Sequence, residues 1–116
     1  MLSSHNPTRF SAKLADFGLA ETVKPTGTKT GSKAGTAGYL APEILEGRTA
    51  GTASDIWALG CLLFAMLSVS LPFPTPVIGK SAQRSRVNID YDQLDLEPVA
   101  AAGEVCLDLV AGLLKK

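Results

Sequence analysis

A chain of 116 residues has room for one small domain and little more. Eleven Lys and Arg balance eleven Asp and Glu, and 46% of the residues are apolar, which excludes wholesale disorder and gives no basic footprint for a nucleic-acid partner. The charge is nonetheless uneven: residues 1–40 hold five basic and two acidic groups, while residues 86–110 hold one basic and six acidic. Asymmetry of that size is ordinary in a folded domain.

Residues 1–9 read as a loose polar leader. Met1 to Pro7 has neither the basic start nor the apolar run of a signal peptide. Phe10 to Ala15 predicts a short strand, and Asp16-Phe17-Gly18-Leu19-Ala20 a turn. Between residues 22 and 38, hydroxyl residues alternate with Pro25, Gly27, Gly31, Gly35 and Gly38, so a long surface loop is expected. Tyr39 to Leu45 fits a turn or short helix, since Pro42 is compatible with a first helical turn. Asp55 opens the strongest element, a helix over 55–68 whose apolar residues cover nearly every face, implying burial all round. Its apolar stretch, Ile56 to Leu71, is sixteen residues long, against the roughly 20 of a membrane span. Pro72-Phe73-Pro74 should stop it. An acidic connection over 88–98 leads to an amphipathic helix over 100–114. With one amphipathic helix to cover an all-apolar one, the chain reads as part of a larger core.

Cys61 and Cys106 lie in apolar stretches and read as buried thiols of a reducing compartment, cytoplasmic or nuclear. With His5 as the single histidine, a zinc site lacks ligands. Gly79-Lys80-Ser81 has no glycine-rich lead-in and does not read as a phosphate loop.

Three motifs stand in one order: Asp16-Phe17-Gly18, then Gly35-Thr36-Ala37-Gly38-Tyr39-Leu40-Ala41-Pro42-Glu43, then Asp55-Ile56-Trp57-Ala58-Leu59-Gly60. Together they resemble the C-lobe of the eukaryotic protein kinase family, of the serine/threonine type, over nearly the whole chain. The resemblance implies a mainly α fold, a partial kinase C-lobe over 10–116 without an N-lobe, with an activation segment over 19–43. It implies ATP-dependent phosphoryl transfer to a protein Ser or Thr, with Asp16 as the ligand of the ATP-bound Mg²⁺. Phe17 would pack beneath the site, and Gly18 would let the backbone turn. Ser32 would accept an activating phosphate from an upstream kinase, with Thr28 and Thr30 as fallbacks and Lys29 and Lys33 beside it. Thr36 would contact the catalytic loop, and Glu43 would pair with an arginine late in the lobe. Asp55 would hold the catalytic loop, although a bare N-cap role fits its position equally well. Trp57 and Gly60 would belong to the central structural helix.

The departures from the family matter as much. No glycine-rich loop, Val-Ala-x-Lys strand or H-R-D-x-x-x-x-N catalytic loop occurs before Asp16, so the general-base Asp is absent, and His5-Asn6-Pro7 does not replace it. The arginine for Glu43 would fall beyond Lys116. The expectation is a kinase segment inactive alone, with weak or no binding of ATP and Mg²⁺. The alternative is a non-catalytic docking or decoy module for a kinase or its protein substrate.

Overall fold

The computed structural model describes residues 2–6, 9–20, 22, 36–48, 50–73 and 91–115. Two strands open the chain: β1 (Leu2–Asn6) pairs antiparallel with β2 (Arg9–Ala12), with Leu2 opposite Ala12 and an irregularity between Ser4 and Asn6. The segment expected as a loose leader is therefore mostly strand. Leu2 is the single apolar residue of β1, so no alternation signals the strand, and the pairing with β2 makes it. The expected strand over 10–15 starts one residue earlier and ends at Ala12.

Everything else regular is helical, in line with the expected fold class. A 3-10 turn covers Ala37–Tyr39, followed by α1 (Pro42–Leu45), whose first position is the proline. The long helix α2 spans Thr52–Ser68. A second 3-10 helix, Glu97–Ala102, runs into α3, Glu104–Leu113. Gly103 separates them at φ 93, a backbone region that favours glycine. The single helix expected over 100–114 is thus two, broken by a glycine.

The start of α2 differs from expectation. It begins at Thr52 with Gly51 as N-cap, so Asp55 is neither its first residue nor its cap. Ser54 donates its N–H to the Gly51 carbonyl (3.0 Å) and accepts the Gly51 N–H on its hydroxyl (3.2 Å). That is a reciprocal closure with serine at the place usually held by Glu or Gln. The helix stops at Ser68, ahead of the prolines, through Val69 in the left-handed region at φ 57. Ser68 donates its hydroxyl to the Phe64 carbonyl at 2.8 Å there.

The core gathers Ala41, Trp57, Cys61, Phe64, Phe73, Val99, Val110 and Leu114. α2 turns Ser54, Trp57, Gly60, Cys61 and Phe64 inward, at the spacing of one helical face. Trp57 stacks on Phe73 (5.6 Å between centroids, 12°) and meets Tyr91 edge-on (5.4 Å, 77°). Gly60 sets the approach of α3, because a Cβ there would lie 2.8 Å from Leu114 Cδ2 and 2.9 Å from Leu113 Cβ. The opposite face of α2 is a correction to the expected all-round burial: Ile56, Leu59, Leu62 and Met66 are 46–70% exposed. α3 and the 3-10 elements cover one side of α2, and no described element covers the other.

Candidate functional site

Asp16 follows the hairpin, and its backbone is left-handed at φ 64. Asp tolerates that region better than most residues because its short side chain bonds locally. Here Asp16 Oδ1 accepts the Gly18 N–H at 3.4 Å, a long bond, and the Ala20 N–H closes a turn on the Phe17 carbonyl at 3.0 Å. The strained turn residue is thus Asp16, where Gly18 was expected. The Asp16 side chain is exposed, with carboxylate lone pairs to spare. It fits one position in the oxygen shell of a hard cation. Among the described residues no group of three metal-ligating side chains gathers, so the Asp16 turn offers one ligand there and no cage.

Phe17 is 68% exposed, with Leu14 and Leu19 more so. No described residue covers residues 11–20, so among the described residues Phe17 has no site above it to pack beneath. Ser32, Thr28, Thr30, Lys29 and Lys33 lie outside the described residues.

The far end of the same segment is firmly seated. Thr36 is exposed and accepts the Tyr39 N–H on its carbonyl at 2.9 Å. Tyr39 packs on the core, Ala41 is fully buried, and Pro42 is buried. Glu43 is half-buried, and its Oε1 accepts the Ser54 hydroxyl at 2.6 Å. Its carbonyl takes the Arg48 N–H at 2.8 Å. Among the described residues Ser54 is the partner shown for the Glu43 carboxylate, and close by Arg48 pairs with Glu46 at 2.7 Å on the surface. Ser54 is the residue that sequence reasoning missed, since its contact crosses eleven positions and joins two helices. A serine inside a helix start, where side chains bond locally, was the available hint.

Asp55 is exposed, and no hydrogen bond or ion pair to its side chain is found among the described residues. Deeper in, burial pushes the Cys61 thiol up to about 11, a rise only partly offset by its hydrogen bond with Trp57. Burial likewise pushes Tyr91 up to about 12, with negative charge at Cys61, Glu43 and Glu46 adding to it. Both cysteines are free thiols. No described helix is long and apolar enough to cross a membrane. The motifs therefore divide into two places: Asp16 and Gly18 on an exposed turn, and Glu43, Trp57 and Gly60 in or against the helical core.

The family model described as "Protein kinase domain" matches residues 1–116. The serine/threonine-protein kinase PLK4 of Xenopus laevis is 38% identical over 104 residues, 90% of this chain and 10% of that protein. The serine/threonine-protein kinase cds1 of Schizosaccharomyces pombe is 44% identical over 70 residues, 55% of this chain and 15% of that protein. The 3-phosphoinositide-dependent protein kinase B of Dictyostelium discoideum is 45% identical over 65 residues. The chain thus spans 10–15% of the length of the first two. With the three motifs in order on a mainly helical frame, the chain belongs to the protein kinase family.

Proposed function

We propose that this chain supplies the metal-binding turn, the activation segment and the central helix of a catalytic domain that phosphorylates protein Ser or Thr hydroxyls. The observation that carries this reading is the seating of Ala41-Pro42-Glu43 on the start of α2, which fixes one end of the activation segment while Asp16 stands free at the other. The family uses ATP and Mg²⁺, and the bound metal neutralises charge on the transferring phosphate. Asp16 would offer that metal one carboxylate oxygen from an exposed, left-handed turn. Thr36, exposed just before the anchored stretch, would face the catalytic loop and the substrate. Asp55, exposed near the start of α2, has its acceptor oxygens free to hold the catalytic loop. An upstream kinase would act on Ser32, and the protein would work in the cytoplasm or nucleus with its thiols reduced.

These 116 residues contain no H-R-D-x-x-x-x-N sequence and no Val-Ala-x-Lys strand, so the segment alone is inactive in this reading. The test is transfer of labelled γ-phosphate from ATP to a generic protein substrate. The protein at its natural length should be active, Asp16→Asn should reduce kcat by about a thousandfold or more, and the 116-residue chain should give nothing. Full activity of Asp16→Asn would overturn the reading.

The uncovered stripe Ile56, Leu59, Leu62 and Met66 supports a second reading, a docking or decoy module that binds a kinase or its substrate without catalysis. A natural-length protein that binds a kinase but transfers no phosphate would favour it.

A further inference from the structure

Ser54 sits at the third position of α2, is 6% exposed, and stands in the middle of a short hydrogen-bond relay. The Gly51 N–H donates to its Oγ at 3.2 Å, and that hydroxyl donates to Glu43 Oε1 at 2.6 Å. Capping the helix needs only the first of these bonds. The hydroxyl proton goes instead to a carboxylate eleven residues back, at a length typical of a charge-assisted O–H···O⁻ bond. Accepting from Gly51 polarises the hydroxyl and strengthens its donation. The carboxylate also lies by the N-terminus of a seventeen-residue helix, where negative charge is favoured.

We propose that Ser54 is a positioning residue: through Glu43 it locks α1 to α2 and so fixes the stretch Thr36 to Ala41 that would face the protein substrate. This rests on the kinase reading above. Glu43 lies directly after buried Ala41 and Pro42, and Tyr39 packs on the same core. A shift of α1 on α2 therefore carries the whole stretch with it, while the Asp16 turn, whose described hydrogen bonds close within it, stays where it is.

The experiment is steady-state phosphoryl transfer by the natural-length protein, varying protein substrate and ATP separately. Ser54→Ala should raise KM for the protein substrate about tenfold and leave KM for ATP unchanged. Ser54→Thr, which keeps the hydroxyl, should restore it. In a Glu43→Gln background, Ser54→Ala should add little, because the two residues act as one unit. A mere loss of folded protein would lower kcat and move neither KM. The proposal is overturned if Ser54→Ala leaves the substrate KM at the wild-type value, if threonine fails to rescue it, or if the two losses multiply. Should the wild-type protein transfer no phosphate, the kinase reading fails by itself. Amide exchange then decides the contact, since the Glu46 and Arg48 N–H groups bond Pro42 and Glu43. Faster exchange there in Ser54→Ala, but not in Ser54→Thr, upholds the lock, and unchanged exchange overturns it.

Discussion

The exposed turn around Asp16 and the frame around Trp57 belong to one motif set and are built in opposite ways. Residues 11–20 are exposed throughout; Ser11 and Ala12 pair with β1, and the hydrogen bonds described at the Asp16 turn are local. The frame buries Trp57, Cys61, Phe64, Val99 and Val110 to 4% exposure or less. The residue proposed to meet the metal thus stands where little packing holds it, whereas the residues that carry no chemistry are held most tightly. A turn that must admit a cation and phosphates has to keep its carboxylate open. The helix that anchors the activation segment has no such need. Local stability should differ accordingly between the two.

The largest break in that contrast comes from Trp57→Ala. It removes the stacked partner of Phe73 and the edge contact of Tyr91 together. The loss should be about 3–5 kcal/mol, a large share of the roughly 5–15 kcal/mol that stabilises a natural domain. Native-state hydrogen exchange should show it in the amides of α2 and α3 and leave those of β1 and β2 unchanged. Equal losses in both would mean that hairpin and frame unfold as one unit.

Sequence made the frame legible and the joints illegible. The apolar run from Ile56 announces α2, and the D-x-W-x-x-G pattern marks Trp57 and Gly60, both of which lie buried on one face of that helix. Which face of α2 is covered could not be read, because Leu59 and Leu63 have the same chemistry and only the position of α3 separates them. The helix start was misplaced at Asp55, since a conspicuous acidic cap outweighed a glycine cap closed by Ser54. The motif marks Asp16, but not its left-handed backbone, because a glycine two residues on is the more obvious place for the chain to turn. The resemblance points Glu43 to an arginine outside these residues, and its bond to the Ser54 hydroxyl has no signal of its own in the sequence. Pairings across eleven residues depend on the fold and leave no local pattern.

A smaller effect sharpens the contrast from the side of pH. Cys61 rises from 9.0 to about 11 and Tyr91 from 10.0 to about 12 on burial in the frame. Both groups stay protonated when folded over a range in which the unfolded chain has ionised them. Stability is therefore whole below pH about 9 and is lost as pH rises through about 11 to 12. Exchange protection of α2 should fall over that window, and Cys61→Ala should flatten the first part of the fall. A flat profile in the unsubstituted chain would mean that the core admits water at Cys61.

The smallest effect is expected at Phe17, and it is informative because two lengths of chain give different answers. At 68% exposure, Phe17→Ala in the 116-residue chain should change stability by no more than about 0.5 kcal/mol. In a complete catalytic domain the same phenylalanine is expected to be packed beneath the metal site, and its truncation should then cost about 3–5 kcal/mol. The difference between the two measurements, taken by denaturant unfolding, reads how much of the exposed turn the rest of the domain covers. A large cost already in the short chain would mean that Phe17 is packed within these 116 residues. Small costs at both lengths would leave Phe17 on the surface throughout, and the turn would then owe its conformation to Asp16 and its local bonds alone.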